Sequence, residues 1–263
     1  MSTSVDVVMV GGGNMGAALV EGMIASGRFA PSGIAIAERL DRRREELSSR
    51  FAEVVIVEEV PACAAAVIAV KPDGVPEAVR SAVAAGARRI LSIAAGVTLA
   101  TLDGAAGGGV AVVRAMPNTP ALVGRGAAAI TGGAGAGADD LAWAERILSA
   151  VGTVERLDEV DLDAFTGVAG SGPAYVFLFA EALVDAAIAE GIESSVAHRV
   201  VAQLLVGSAA LLEREGDPAR LRRDVTSPGG TTASGLGRFE HHDLRGIVAD
   251  AVAAATRRSR ELG

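Results

Sequence analysis

The sequence predicts an α/β protein in which helices cover a parallel sheet and an all-helical segment follows. Two observations support this prediction: short β-rich runs alternate with helical runs over roughly the first 155 residues, and no strand signal appears from Asp161 onward. In addition, half of the 263 residues are hydrophobic, which is enough for a sizeable core. We therefore predict two domains, residues 1–160 and residues 161–263.

The first domain opens with the run VDVVMV, which predicts a strand, and a helix is predicted over 14–27. The alternation then predicts strands at GIAIAE, EVVIV, AVIAV, RILSI, VAVVR and GAAAIT, and helices over 40–51, 74–85 and 138–150. A last strand is predicted over residues 153–157. Alternation of this kind is typical of a parallel sheet covered by helices.

The stretch GGGNMG lies between the first strand and the first helix and satisfies the spacing G-x-G-x-x-G through Gly11, Gly13 and Gly16. Gly11 permits a tight turn, Gly13 lets a pyrophosphate approach the backbone, and Gly16 lets the helix pack close to the strand. The helix N-terminus adds free N–H groups and a positive potential. This context predicts a Rossmann-type dinucleotide-binding domain, and a purely structural glycine turn is the alternative.

An acidic residue is expected about 20 residues after the glycines, at the end of the second strand, where it would hold the ribose hydroxyls of adenosine. Glu38 stands in this region and favours NAD. Arg39 follows directly and could pair with the 2′-phosphate of NADP. Both NADP(H) and NAD(H) therefore stay open as cofactors, and both side chains could also be surface charges.

Lys71 is the only lysine of the chain and directly follows the predicted fourth strand. Ligands of open parallel sheets bind beyond the carboxyl ends of the strands, so Lys71 is expected to face the cofactor; a snorkelling surface lysine is the alternative. Two later segments, around Ala95 and Gly96 and around Pro117 and Asn118, occupy equivalent strand-end positions. Their small or proline-fixed residues suit a wall against a flat nicotinamide ring.

The second domain offers few groups for acid–base chemistry. It contains no lysine, its histidines are His198, His241 and His242, and Tyr175 is its only tyrosine. Oxidation of an alcohol normally needs a placed base. A hydride acceptor that needs little acid–base help fits better, and a cyclic imine is such an acceptor because its nitrogen can be protonated in solution near neutral pH.

The stretch TSPGGTT, at 226–232, predicts a Ser-Pro-Gly-Gly turn that leads into a helix starting near Gly230. The N–H groups at such a helix start can hold an anion, here a carboxylate on the substrate. Thr231 and Thr232 add hydroxyls that could orient an imine nitrogen. Capping of the helix by Ser227 or Thr231 explains the same residues equally well.

The segment AYVFLFAEALVDAAIAEGI, at 174–192, is apolar on nearly every side. Such a helix must be buried all round, which roughly 100 residues of helices cannot easily do alone. We therefore expect the second domain to form an oligomer interface.

Charge and cysteine content argue against several classes of protein. With a net charge of −8 and no basic stretch, the arginine clusters at 42–44 and 257–260 are better explained as solvated helix faces than as a nucleic-acid surface. Cys63 is the single cysteine, which rules out an internal disulfide, and no secretory signal is visible. The apolar run ACAAAVIAV is far shorter than the ~20 residues of a membrane-spanning helix. We expect a cytoplasmic protein without a membrane or nucleic-acid partner and without metal ligands.

Six motifs, GGGNMG, AVKP, AAGV, RAMPNTP, GSGPAYVF and VTSPGGTT, follow one another along the chain. In their order and spacing the chain closely resembles the pyrroline-5-carboxylate reductases, from about residue 7 to 262, and the last two motifs are the specific ones. The resemblance implies a Rossmann domain and a helical domain that interlocks in a homodimer, often within a ring of five dimers. It also implies reduction of 1-pyrroline-5-carboxylate to L-proline with NADPH or NADH.

The resemblance further implies roles for individual residues. The pyrophosphate would be held by Gly11, Gly12, Gly13, Asn14, Met15 and Gly16. The nicotinamide side would be lined by Ala69, Val70, Lys71, Pro72, Ala95, Gly96 and Val97. The substrate would be bound by Ser227, Gly229, Gly230, Thr231 and Thr232, with the Thr232 hydroxyl at the ring nitrogen. The segment VEEV, at 57–60, departs from many members, which place a small polar residue near the adenosine.

Two rival functions differ from this interpretation in testable ways. A β-hydroxyacid dehydrogenase shares the two-domain plan, but enzymes of that kind use a lysine on an early helix of the second domain, and none exists here. A catalytically silent dinucleotide-binding module would bind NADPH but leave its absorbance unchanged when the cyclic imine is added.

Overall fold

The computed structural model describes residues 5–262, and the chain forms two compact units. The first unit runs to Ser171 and resumes at Ala254, and the second is Gly172–Ala253. A single helix, Leu244–Leu262, therefore begins in the second unit and ends in the first. The predicted boundary between residues 160 and 161 stays a prediction, because compact units need not coincide with functional domains.

A sheet of eight strands forms the centre of the first unit. The strands are β1 Val5–Val10, β2 Ile34–Ala37, β3 Val55–Val57, β4 Cys63–Ile68, β5 Arg89–Ser92, β6 Ala111–Met116, β7 Gly126–Gly132 and β8 Gly152–Arg156. Their order is β3-β2-β1-β4-β5-β6-β7-β8, so the chain changes direction across the sheet between the adjacent strands β1 and β4. Ligands of open α/β sheets bind at such a switch point, outside the carboxyl ends of the strands. The Rossmann-type prediction is confirmed.

One strand pair departs from the predicted parallel sheet. β6 and β7 run antiparallel, with Val113 opposite Gly132 and Met116 opposite Ala129. The connection between them holds a short 3₁₀ turn, Thr119–Val123, in place of a crossover helix. A parallel pair needs a crossover of a dozen or more residues, so a connection this short brings the chain back in the opposite direction.

Helices pack on both faces of the sheet. They are α1 Asn14–Ala25, α2 Asp41–Arg50, α3 Val75–Ala84, α4 Leu99–Ala106 and α5 Ala138–Leu148. Helix α4 was not predicted, because its sequence LATLDGAA is made mostly of small residues and has little helical periodicity. Thr98 is its N-cap, with its hydroxyl accepting a hydrogen bond from the Thr101 N–H at 3.3 Å.

Neighbouring residues of one strand enter different halves of the core. Met9 packs on one face of the sheet with Leu19 of α1 and Ile147 of α5. Val8 packs on the other face with Val79 of α3. Both faces of a strand are therefore buried, which explains why the strands read as nearly continuous apolar runs.

The remaining chain is helical. Helix α6 Leu162–Phe165 continues into a π-helical turn, Thr166–Gly170, and is followed by α7 Gly172–Ala189, α8 Ser194–Glu215, α9 Pro218–Asp224, α10 Thr231–His241 and α11 Leu244–Leu262. Among the described residues no strand follows β8, as predicted. The hydrophobic cluster of the second unit contains three buried residues, Val184, Ala197 and Val201.

Helices α7 and α8 leave much apolar surface open. Phe177 and Leu178 of α7 are 63% and 66% exposed, and Val206 of α8 is 64% exposed. The stretches Glu159–Ala189 and Ser194–Glu215 are also long and apolar enough to cross a membrane by length and composition alone. Both stretches are much longer than the apolar run at 62–70 and need an explanation of their own.

Candidate nucleotide and carboxylate sites

Two of the three motif glycines after β1 leave no room for a side chain. Gly11 has a φ of +105°, and a Cβ there would lie 2.7 Å from the carbonyl oxygen of Ala69. A Cβ on Gly16 would lie 2.3 Å from the carbonyl oxygen of Gly11. Glycine has no Cβ to clash and adopts a positive φ readily. These two residues therefore let the loop lie against the end of β4 and let α1 begin close to β1.

Gly13 is different, because space is open in front of it. It is the N-cap of α1, and no atom lies within 4 Å of the position that its Cβ would take. The first hydrogen bond of the helix runs from the Ala17 N–H to the Gly13 carbonyl, which leaves the N–H groups of Asn14, Met15 and Gly16 without an acceptor in the described chain. Free N–H groups at a helix start facing open space suit a phosphate. The loop thus fits a pyrophosphate.

Glu38 anchors the glycine-rich loop. Its Oε2 accepts a hydrogen bond from the Gly12 N–H at 2.9 Å, and its Oε1 accepts one from the Leu40 N–H at 3.0 Å. The Nε of Arg43 donates to the Gly12 carbonyl at 2.7 Å. The backbone of Gly12 is therefore fixed through both its N–H and its C=O. Sequence reasoning placed Glu38 at the adenosine ribose, and the structure adds this role within the loop itself.

A cavity of about 520 Å³ lies beside the loop. Apolar residues such as Val10, Ala37 and Val70 line it, and so do the charged residues Glu38, Arg39, Glu58 and Glu59. An apolar wall can hold an adenine ring, and carboxylates can accept hydrogen bonds from ribose hydroxyls. The two glutamates of the VEEV segment thus belong to this cavity.

Arg39, the candidate partner of a 2′-phosphate, is already paired. Its Nη2 donates to Oε1 of Glu77 at 2.5 Å. This hydrogen bond and the negative charge of Glu77 raise the pKa of Arg39 above its ordinary value. A phosphate at this position would have to compete with Glu77 for the guanidinium.

The segment of Ala69, Val70, Lys71 and Pro72 follows β4, which ends at Ile68, two residues before the end of the predicted strand. The Ala69 N–H donates to the carbonyl of Val10 at 2.8 Å and keeps the segment beside the end of β1. Lys71 is exposed and precedes a 3₁₀ turn, Pro72–Gly74. The segment lies beyond the carboxyl ends of β1 and β4, and its contact with a cofactor stays a prediction.

The loop of Ala95, Gly96 and Val97 follows β5 and precedes α4. Gly96 has a φ of +75°, and Val97 is buried. The first N–H of α4, on Leu99, donates to Oε1 of Glu159 at 2.7 Å. The same carboxylate oxygen accepts a hydrogen bond from Nη1 of Arg114 at 2.7 Å.

Sequence reasoning missed this pair of buried Arg114 and partly exposed Glu159. Arg114 is 8% exposed although it lies in the apolar strand β6. A charged residue in such a strand is the signal that could have indicated a partner, because a buried charge is costly unless it is paired. The position of the partner, 45 residues along the chain, carries no comparable signal.

Asn118 has an internal role. Its Nδ2 donates to the carbonyl of Ala169 in the π-helical turn at 3.0 Å, and its Oδ1 accepts a hydrogen bond from the Ala127 N–H at 2.9 Å. The side chain therefore joins the start of β7 to the turn before α7. Its predicted contact with the cofactor stays a prediction.

The TSPGGTT stretch forms a tight turn before α10. The Gly230 N–H donates to the Ser227 carbonyl at 3.1 Å, and Gly229 has a φ of +72°. Proline at the second and a left-handed glycine at the third position are typical of a type II turn. A Cβ on Gly230 would lie 2.4 Å from the Ser227 hydroxyl oxygen, so that hydroxyl would have to rotate away, whereas the positive φ makes Gly229 the position that favours glycine.

The helix start after this turn lacks a side-chain cap. Gly230 is the N-cap of α10 and provides no side-chain hydrogen bond. Thr231 and Thr232 are the first two helical residues and are exposed. Neither candidate for capping, Ser227 or Thr231, therefore caps the helix, and an anion-binding role of its first N–H groups stays a prediction.

No group of three or more histidine, cysteine, aspartate or glutamate residues within 5–262 is arranged to hold a metal ion.

Two family models match the chain. The model described as pyrroline-5-carboxylate reductase dimerisation matches residues 159–262, and the model described as NADP oxidoreductase, coenzyme F420-dependent, matches residues 6–96. The second match covers the glycine-rich loop and the cavity beside it, and the first covers α6–α11. A dimerisation domain buries apolar helix surface against another copy of the chain, which accounts for the exposed faces of α7 and α8.

Similar proteins align over nearly the whole chain. A pyrroline-5-carboxylate reductase of Synechocystis is 40% identical and aligns over 99% of both chains. The structure of a pyrroline-5-carboxylate reductase from Coxiella burnetii superposes with a TM-score of 0.91 at 31% identity, covering 99% of each chain. That of the Plasmodium falciparum pyrroline carboxylate reductase with NADP bound superposes with a TM-score of 0.85 at 27% identity, covering 100% of this chain and 99% of that one.

Proposed function

Because this chain belongs to the pyrroline-5-carboxylate reductase family, we propose that its two glycine-containing helix starts divide one hydride-transfer reaction between them. The chain is an oxidoreductase of proline biosynthesis that reduces 1-pyrroline-5-carboxylate to L-proline with NADP(H) as cofactor. We propose that it also accepts NADH, since Glu38 at the adenosine cavity suits a free ribose 2′-hydroxyl.

The first helix start holds the cofactor. The N–H groups of Asn14 and Met15 and the open space at Gly13 bind the pyrophosphate, and Gly11 and Gly16 make the close approach possible. Glu38 and Arg39 contact the adenosine. The nicotinamide side is lined by Ala69, Val70, Lys71, Pro72, Ala95, Gly96, Val97 and Asn118.

The second helix start holds the substrate. The N–H groups at the beginning of α10, after Gly229 and Gly230, bind the substrate carboxylate, and Ser227 and Thr231 add hydroxyls. Thr232 is the catalytic contact: its hydroxyl binds the ring nitrogen and keeps the imine in one orientation.

The chemistry is addition of a hydride to a carbon–nitrogen double bond. Bound NADPH or NADH supplies the hydride, which adds to C5 of the protonated imine while the electrons of the double bond pass to nitrogen and give the secondary amine of proline. The protein positions the two reactants and compensates the negative charge of the substrate carboxylate. Positioning of this kind can provide a large part of a rate enhancement. This explains why the second half needs no lysine base.

The chain forms a homo-oligomer, as the match to a dimerisation domain shows. We propose that the unit is a homodimer built on α7 and α8 and that five dimers form a decamer. We also propose that the enzyme works in the cytoplasm without a membrane or nucleic-acid partner, because the apolar helices are accounted for by the dimer.

The observation that supports this function best is the uncapped start of α10 after a turn that favours glycine. A steady-state assay with 1-pyrroline-5-carboxylate and either cofactor tests it, with loss of cofactor absorbance and formation of proline as the expected result. Binding of NADPH with unchanged absorbance after addition of the imine would favour the silent dinucleotide-binding module instead.

A further inference from the structure

The loop Ala95, Gly96 and Val97 is supported by residues from the far end of the chain. A Cβ on Gly96 would lie 3.2 Å from the carbonyl oxygen and 3.4 Å from the Cβ of Leu262, in the last turn of α11. The tip of the loop therefore lies directly against this turn. A positive φ at Gly96 lets the backbone make this close approach.

The last turns of α11 are themselves held in place. The Ser259 hydroxyl donates to Oδ1 of Asp163 in α6 at 2.6 Å. Thr256 and Ser259, although polar, are each 8% exposed. All of these residues belong to the first compact unit. A buried hydroxyl bonded to a carboxylate fixes the helix end more firmly than apolar packing alone, because hydrogen bonds to charged groups are directional and stronger than neutral ones.

A second support comes from the turn just before α6. Glu159 of the 3₁₀ turn Glu159–Asp161 accepts a hydrogen bond from the N–H of Leu99, two residues after the loop, and pairs with buried Arg114. Glu159 and Asp163 are four residues apart. The segment that carries them therefore supports the loop in two ways: Glu159 binds the residues after it, and Asp163 holds the helix that lies against its tip.

We propose that Asp163 and Ser259 are positioning residues for the nicotinamide end of the cofactor. They act through α11, which fixes the loop of Ala95, Gly96 and Val97, while the adenosine end depends on the separate loop at Gly11–Gly16. This proposal rests on the proposed function, which assigns the nicotinamide side to that loop. Geometry at the reacting carbon is demanding, so a small displacement of the loop lowers the rate without dissociating the cofactor.

The test uses the full-length protein and four variants. Asp163→Ala and Ser259→Ala remove the hydrogen bond, and Asp163→Asn keeps a side-chain oxygen that can accept it. Arg258→Ala is the matched control, because Arg258 lies next to Ser259 but is exposed and pairs with Glu261 on its own helix. Binding of NADPH is compared with binding of 2′-phospho-ADP-ribose, which lacks only the nicotinamide. Hydrogen exchange of the apoprotein reports on the loop itself.

In both alanine variants we expect the amides of residues 96–99 to exchange about tenfold faster, with β1 and β4 unchanged. The affinity for NADPH should fall about tenfold and that for 2′-phospho-ADP-ribose should stay within twofold. Asp163→Asn should recover most of the loss, and Arg258→Ala should match the wild type.

Any of three results would overturn the proposal: equal weakening of the binding of both ligands, unchanged hydrogen exchange in the loop, or faster exchange throughout the unit. If the wild type failed to reduce the imine, the proposed function would fall, but loop exchange and the comparison of the two ligands would still decide whether Asp163 and Ser259 support the loop.

Discussion

The two compact units are both rich in apolar residues but bury them to very different extents. In the first unit residues such as Met9, Ile36 and Ile90 are fully buried between the sheet and its helices. In the second unit the buried cluster is limited to Val184, Ala197 and Val201, while large residues of α7 and α8 remain exposed. A helix that is apolar all round needs cover on every side. The first unit completes its core within one chain, and the second needs another copy.

The two candidate sites lie in different units and differ in the same way. The candidate nucleotide loop is fixed by contacts within the first unit, such as the hydrogen bonds of Glu38 and Arg43 to the backbone of Gly12. The substrate loop lies on α10, in the unit whose helices depend on assembly. We therefore expect cofactor binding to be insensitive to oligomeric state and substrate turnover to require it.

The largest effect is expected from a charge on the exposed face of α7. Leu178→Asp places a carboxylate where the partner chain should bury apolar surface, and an unpaired charge there costs several kcal/mol. Light scattering should show dissociation, and turnover should be lost while NADPH binding remains. Val123→Asp, at a residue of the first unit that is 76% exposed, is the control and should leave the oligomer intact. If the oligomer of Leu178→Asp kept its molar mass, the inference that the second unit needs another copy would be contradicted.

Two glycines of the first unit test whether its loop is shaped for packing or for a ligand. Gly16→Val should destabilise the unit by roughly 3 kcal/mol or more, because its Cβ would lie against the Gly11 carbonyl. Gly13→Val should abolish NADPH binding and change stability by about 1 kcal/mol at most, since no atom lies near its Cβ position. Thermal melting and fluorescence titration separate the two. Tight NADPH binding by folded Gly13→Val would contradict the assignment of the pyrophosphate site.

Thr232 tests whether the helical unit contributes chemistry beyond assembly. Thr232→Val removes a hydroxyl that would bind a charged nitrogen, a contact worth about 1.5–3 kcal/mol, so kcat/KM should fall about tenfold to a hundredfold. The melting temperature should barely change, because Gly230 and not Thr232 is the N-cap.

Thr232→Ser restores a hydroxyl and should recover much of the rate. A drop of several degrees in the melting temperature of Thr232→Val with full activity of the folded fraction would show that the residue matters for the helix and not for the reaction.

The smallest effect is expected at the surface pair of Arg39 and Glu77. Arg39→Ala should weaken the binding of NADPH a few-fold more than that of NADH, because only NADPH carries a 2′-phosphate for the guanidinium. The effect is modest because both side chains are largely exposed and screened by solvent. Glu77→Gln is the opposite test: it frees Arg39 and should strengthen NADPH binding. Equal changes for both cofactors would mean that Arg39 does not contact the phosphate.

The parts of the fold that sequence patterns predicted are those with local causes. The glycine loop, the helix starting at Thr231 and the apolar α7 each follow from short runs of residues whose spacing has a direct physical meaning. Strand β7 was predicted, but its antiparallel direction was missed, because direction depends on whether a crossover helix is present and the runs VAVVR and GAAAIT carry no signal of direction.

The missed parts of the site depend on distant residues. Glu159 binds Leu99 and Arg114 across 60 and 45 positions of sequence, and Ser259 binds Asp163 across 96. None of these residues stands in a motif with a fixed spacing. Only the charge of Arg114 within an apolar strand indicated that such a partner had to exist.

The division of α11 between the units has a consequence for how the protein is made. Ribosomes synthesise the chain from its N-terminus, and domains often fold as they emerge. Here Leu262, which belongs to the first unit and lies against Gly96, is translated only after the whole of the second unit. The nascent sheet can form early, but the loop at Gly96 lacks its support until the helical unit has also been synthesised. A ribosome that stalls within α10 would therefore present a chain able to form the glycine-rich loop but lacking the contact that supports the loop at Gly96.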